Sequence, residues 1–477
     1  MCCAGCAELR GGWRLGWLYR CRGAGRHSTG PGAEVPTAKT AILSRTGLTV
    51  EGVEVTVADI DRILREVASA GDRFNAVTEM LPELARERAG EAAQRAAEDL
   101  PPRALEGQPF AVKDIVFIAG TPTSMGSRVD VRSHPDATTG TADVIERLMA
   151  AGAIPVAKTN CQEFSHGIFG EHSAFGTVVN PAGAELCTGG SSSGSAALVA
   201  AGAVPFAVGS DTAGSVRVPA GCQGVVGFKP TLGAVNTDGV FPLSPSFDTL
   251  GFFTRTVSEA VRVFSAVVDF SAGAPASVAV GTFELSTPHW IEDGADYLDT
   301  TKPVDLEPFI EESGALYDTV RKYESFRILG PLAETQSEAF TPDVLDRVKQ
   351  SADVSEADYQ QALADVEALR ERALAQFADV DVIVSPALDG GTVPWDSIGP
   401  DARPAFVRYS QLFNVLGWPA ITIPTGRRYE SGAPACLHIA GKPGEDATVL
   451  AVAAEVERRL KAEANAAQPT DPQAGAN

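Results

Sequence analysis

The chain has 477 residues, 44% hydrophobic and 21% charged, with a formal net charge of −22. That balance supports a substantial buried core and, outside the N-terminal tail, offers no basic face to a phosphate backbone, so nucleic acid is not expected as a partner. No apolar run reaches the ~18–20 residues of a membrane helix, which argues against a membrane partner as well.

The length suits two or three average domains or one large α/β domain. Residues 1–37 read as an unstructured N-terminal tail, in which Arg10, Arg14, Arg20, Arg22 and Arg26 stand against Glu8 and Glu34. There is no apolar stretch of about 7–15 residues for a secretory signal. The composition resembles an organelle transit peptide, and a disordered tail or translation from an upstream start fits equally. Cys2, Cys3, Cys6 and Cys21 lie here. Cys161, Cys187, Cys222 and Cys436 are scattered without C-x-x-C spacing. Reduced thiols in a cytoplasmic protein are the plainer reading, with no metal site expected.

Residues 38–464 read as one domain. Val57, Ile60, Ile63, Leu64 and Val67 give Val57–Ala68 helical periodicity behind a Thr56 cap, and Leu84–Leu100 is a second helix. Pro109–Ile115 and Phe117–Ala119 read as a buried strand, stopped by Gly120-Thr121-Pro122. Ala142–Ala151 is a helix feeding the strand Ile154–Ala157. This alternation predicts an α/β sheet, with Lys113 towards a strand end, where open sheets place their chemistry.

From Cys161 to Thr237 glycine and serine are dense, yet they alternate with apolar segments at Ala196–Ala201, Val204–Val208 and Gly224–Phe228. A flexible linker lacks such segments, so these glycines serve close backbone approach. Residues 270–380 are acidic and read as a helical, substrate-side insertion, with helices at Leu306–Phe326 and at Glu356–Phe377 behind a Ser355 cap. Asp381–Val384 returns to the sheet, and Phe406–Leu416, Ala420–Pro424 and Ala447–Arg458 close the domain. Residues 465–477 read as a disordered tail.

A serine hydroxyl is a poor nucleophile until something takes its proton. The six histidines fall in no metal-binding or general-base motif. A lysine serves instead if burial lowers its pKa, and Lys113, following the apolar Pro109–Val112, fits that need. Asp211-Thr212-Ala213-Gly214-Ser215 follows an apolar strand. Its small residues expose successive N–H groups suited to an oxyanion, although alone it also fits an ordinary strand-to-helix turn.

Together the runs Gly189–Ala197, Gly209–Ala220 and Gly224–Thr231 resemble the amidase signature family. Val112-Lys113-Asp114, Ala151–Asn160, Asn180-Pro181, Trp418–Pro424 and Gly441–Leu450 extend the resemblance from about Ala58 to Arg458. It implies a mixed central β-sheet covered by helices on both faces, and an acyl-enzyme amidase needing no cofactor or metal. By motif, Ser215 is the nucleophile, Ser191 a relay held by a cis peptide bond, and Lys113 the base. The N–H groups of Thr212, Ala213, Gly214 and Ser215 form the oxyanion hole, with Ser192, Asp211 and Arg217 supporting the loop. Ser193 stands where many members have glycine, as in the indole-acetamide and allophanate hydrolase subgroups.

Two rival readings remain. Gly190–Gly194 also satisfies G-x-S-x-G, which would make Ser192 an elbow nucleophile with a histidine such as His438. Relatives also serve as amidotransferase A subunits or as non-catalytic receptor domains. Met125, Phe164, Ile168, Phe169, Phe247 and Trp418 are candidate pocket residues, each equally suited to the core. They favour a small hydrophobic or aryl amide, with carbamates or esters sharing the chemistry (an aryl acylamidase or urethanase), handled by a monomer or homodimer.

Overall fold

The computed structural model describes residues 57–270, 277–283, 301–399 and 401–466. The tail at 1–37 and the Thr56 cap lie outside the described residues. In chain order come α1 (Val57–Phe74), β1 (Val77–Met80), α2 (Pro82–Ala97), β2 (Pro109–Lys113), α3 (Asp143–Ala150) and β3 (Ile154–Thr159). The glycine- and serine-rich stretch supplies α4 (Ser193–Ala200), β4 (Phe206–Asp211), α5 (Arg217–Gln223) and β5 (Val226–Lys229), followed by β6 (Thr249–Thr254) and α6 (Val257–Val267). The remainder is β7 (Val280–Phe283), β8 (Thr301–Val304), α7 (Glu307–Thr335), α8 (Pro342–Gln350), α9 (Glu356–Gln376), β9 (Val382–Pro386), α10 (Arg403–Val407), α11 (Gln411–Val415), β10 (Ala420–Arg428), β11 (Pro434–Gly441) and α12 (Asp446–Ala466).

Among the described residues, eleven strands form one mixed sheet in the order β1-β3-β2-β4-β6-β5-β10-β11-β9-β7-β8. β3, β2 and β4 run parallel, so their C-terminal ends share one edge. Strands flanked in this way are buried on both faces and read as unbroken apolar runs, as Phe110–Val112 and Phe206–Val208 do. Side chains alternate across the sheet. Phe110, Val112, Phe206 and Val208 pack with residues of α3, α6 and α12. Ala111, Ala157 and Ala207 pack with α1, α2 and α4 on the other face. Lys113 shares the parity of Ala111 and so lies on the α4 side.

Several boundaries differ from expectation for identifiable reasons. β2 ends at Lys113 because the chain turns there, with Ile115 and Val116 N–H both donating to the Lys113 carbonyl. α7 continues beyond Phe326 through Pro331, since Leu329, Leu332 and Ala333 are buried in the core; that packing offsets the hydrogen bond proline removes. The stretch 270–380 is not only helical: β7 and β8 within it pair alongside β9. β6, carried by the apolar run Leu250–Phe253, was not anticipated. It joins β4 to β5.

Candidate active site

Lys113, the last residue of β2, is fully buried. Its Nζ is hydrogen-bonded to Ser191 Oγ at 2.6 Å and to Ser210 Oγ at 2.8 Å. Burial disfavours the ammonium form and pulls its pKa down to about 8, against the opposing fields of Cys161, Asp248 and Asp211. Ser210 was not anticipated. The local signal was its place beside Asp211 at the end of β4, next to β2 in the sheet.

Ser191 enters through a cis Gly190–Ser191 peptide bond. A side chain on Gly190 would place its Cβ 2.4 Å from Gln162 Oε1 and 2.7 Å from the Gly170 nitrogen, so glycine is required for this approach. Ser192 Oγ donates to the Ser210 carbonyl (3.1 Å) and accepts from its N–H (3.3 Å). It therefore fastens the strand end that carries Ser210. His438 accepts from Arg217 Nη1 at 3.1 Å and makes no hydrogen bond with Ser192. The elbow reading is thereby corrected: Ser192 clamps backbone, and burial together with the Arg217 charge keeps His438 neutral.

The loop 212–216 between β4 and α5 is organised by Asp211. Its carboxylate accepts from the Gly214 N–H (2.8 Å), the Val216 N–H (3.0 Å), Arg217 Nε (3.0 Å), Arg217 Nη2 (2.9 Å) and Asn414 Nδ2 (2.8 Å). Burial pushes this carboxyl up, but the Arg217 charge and hydrogen bonds outweigh it and hold it well below the usual range. Arg217 also donates to the Ser410 carbonyl, and Ser410 Oγ donates to the Ala213 carbonyl. Ser410 and Asn414 lie about two hundred residues away with no local signature, and His438 was singled out only as an elbow histidine, not as a partner of Arg217.

One expectation changes in detail. The Gly214 N–H is engaged by Asp211, which leaves the N–H groups of Thr212, Ala213 and Ser215 without partners among the described residues. Gly214 itself has φ +127°, and a Cβ there would lie 2.2 Å from Ser410 Oγ and 2.9 Å from Ser410 Cβ. If the loop N–H groups form the oxyanion hole that the family resemblance implies, Gly214→Ala is expected to displace them and lower kcat by roughly 10²-fold or more. Steady-state kinetics on a folded variant checks this, and wild-type turnover would contradict it. Among the described residues no hydrogen bond links Ser191 to Ser215. Ser215 sits two residues before α5, with Val216 between them, and is 4% exposed.

A cavity opens beside Ser210 and Thr212. Apolar side chains, among them Ile115, Val240, Phe241 and Leu243, form much of its wall; Ser165 and Asp248 also line it, and among the described residues no lysine or arginine does. Asp248 accepts from Thr212 Oγ1 at 2.6 Å and from the Leu243 and Ser244 N–H groups. Glu324 of α7 accepts from the Ser244 and Ser246 hydroxyls, bracing this wall. None of the six expected pocket residues lines the cavity. Trp418 and Phe247 belong to the core beneath α7 and α9, Ile168 and Phe169 pack against Phe406, and Met125 and Phe164 lie in the core behind Phe241. Large apolar residues look alike in sequence whether they line a cavity or fill a core.

Among the described residues, no helix is long and apolar enough to cross a membrane. A family model described as Amidase matches residues 59–286 and 317–450. The chain is 31% identical over 463 residues to the glutamyl-tRNA(Gln) amidotransferase A subunit of Limosilactobacillus fermentum, covering 84% of this chain and 92% of that protein. It is 32% identical over 394 residues to the 2-amino-5-chloromuconic acid deaminase of Comamonas testosteroni, covering 76% and 82%. A crystal structure of an amidase is similar with a TM-score of 0.77 at 30% identity, over 88% of this chain and 99% of that one. With its glycine- and serine-rich loops seated on the mixed sheet, this chain belongs to the amidase family.

Proposed function

We propose that the protein hydrolyses carbon–nitrogen amide bonds through an acyl-enzyme on Ser215. The observation that carries the reading is the fully buried Lys113 amine, 2.6 Å from the Ser191 hydroxyl. Neutral Lys113 takes the Ser191 proton while Ser191 takes that of Ser215. Ser215 Oγ then attacks the amide carbon. The N–H groups of Thr212, Ala213 and Ser215 receive the oxyanion, and Asp211 with Arg217 holds their loop in shape. When the intermediate collapses, the C–N bond breaks and the relay returns a proton to the leaving amine. Water then attacks the acyl-enzyme along the same relay, releasing the acid and freeing Ser215. Ser191 and Ser215 share no hydrogen bond among the described residues; the mechanism requires that contact to form when the amide is bound, as catalytic hydrogen bonds commonly do.

The largely apolar cavity, with no lysine or arginine on its wall among the described residues, favours a neutral hydrophobic or aryl amide, with carbamates and esters open to the same tetrahedral chemistry. The relatives named as amidotransferase A subunits support a second reading, in which this chain works within a complex. Co-purification of another polypeptide on which activity depends would favour that reading. A lone chain that hydrolyses simple amides favours the first.

The lysine base gives the reading a pH signature. Its active form is the uncharged amine, which predominates above about pH 8. The kcat/KM for an anilide is expected to rise as pH increases through that value and then level off, reporting the free enzyme. A profile flat from pH 6 to about 9.5 would remove Lys113 from the role.

A further inference from the structure

Ser165 lies in the turn after β3, next to the cavity yet outside the proposed relay. Phe164 and Ser165 both adopt left-handed backbone, with φ +48° and +60°, a conformation that is rare for residues other than glycine and concentrates at functional sites. The surroundings fix this turn. The Phe164 N–H donates to the Met125 carbonyl and the Ser165 N–H to the Gln162 carbonyl. The Glu163 carboxylate accepts from Ser127 Oγ and from the Thr341 N–H and hydroxyl. Phe164 also packs on Phe241, a cavity residue, at 5.6 Å between ring centroids.

The Ser165 hydroxyl is buried and without a hydrogen-bond partner. Every other buried polar side chain on the cavity wall is engaged. Ser210 is bonded to Lys113, Thr212 to Asp248, Asp248 to Thr212 and two backbone N–H groups, and Thr249 to the Phe247 carbonyl. Were the residue present for its backbone alone, glycine would hold the same φ at lower cost. The loop N–H groups are donors and suit the substrate carbonyl, but the scissile N–H of an amide needs an acceptor. An ester has no such hydrogen.

We propose that Ser165 Oγ accepts the hydrogen bond from the scissile amide N–H, so that this residue sets the preference for amides over esters. The inference rests on the amide-hydrolase reading and deepens it. Ser165→Gly keeps the backbone and removes the hydroxyl; Ser165→Ala removes the hydroxyl alone. Both are compared with wild type on the p-nitroanilide and the p-nitrophenyl ester of one hydrophobic acid, with thermal melts to verify folding. The ester-to-anilide ratio of kcat/KM is expected to rise roughly ten- to a hundred-fold in both variants, the scale of an unmet buried hydrogen bond. An unchanged ratio in folded Ser165→Gly, with the wild type turning over the anilide, overturns the assignment. The underlying hydrolase reading fails differently, by wild type and Ser215→Ala being equally inert on every amide tried.

Discussion

Ser215→Ala is expected to reduce kcat for amides by about 10⁴-fold or more. Removing the serine of a comparable triad costs roughly 2 × 10⁶, because no neighbouring group replaces the lost covalent step. Ser191→Ala and Lys113→Ala are expected to fall into the same range, since the three groups act as one relay. Combining Lys113→Ala with Ser215→Ala is expected to add little, because a proton acceptor has no task without a nucleophile. A burst of released amine in wild type, with acyl mass retained on Ser215, checks the covalent step. Near-native turnover by the Ser215→Ala protein would end the proposal.

The second large effect is on stability. Arg217→Met leaves the buried Asp211 carboxylate without its paired cation, and removes the donors to Ser410 and His438. Breaking a buried pair from one side costs about 3–5 kcal/mol, because the remaining charge stays desolvated. Denaturant unfolding at neutral pH is expected to show that loss, and any folded fraction should also turn over slowly, since Asp211 holds the Gly214 and Val216 N–H groups. The carboxyl is held below its unfolded value of about 3.9, so its contribution is complete well above that pH and falls away only as acid passes below it. A variant as stable as wild type at pH 7 would contradict this account of the loop.

The sheet edge was legible because its parts are local. Lys113 follows an apolar strand, and Gly189–Ser195 and Asp211–Arg217 each carry their own glycines, so contiguous residues drew attention to them and the family resemblance of those same runs suggested their roles. The surroundings that act across distance were not legible. Asn414, Ser410 and His438 meet Asp211, Ala213 and Arg217 only because α11 and β11 fold back over α5. Nothing in a stretch such as Gln411–Val415 announces a partner two hundred positions earlier. The cavity wall was illegible for another reason. Phe247 and Phe241 are the same residue type, and only packing separates the one buried beside Tyr317 from the one facing the cavity. For Gly214, neighbouring residues revealed the turn but not that the carboxylate of Asp211 already occupies its N–H.

Most of the cavity wall comes from Ser165 and the segment 237–250, whereas Lys113 ends β2, Ser191 precedes α4 and the 212–216 loop follows β4; the two sets adjoin at Ile115, Ser210 and Thr212. On the proposed reading that separation divides the labour: exchanges at Phe241, Leu243 or Ser165 would retailor which compound is accepted and leave Lys113, Ser191 and Ser215 untouched, so one scaffold could diversify across many nitrogen-containing compounds.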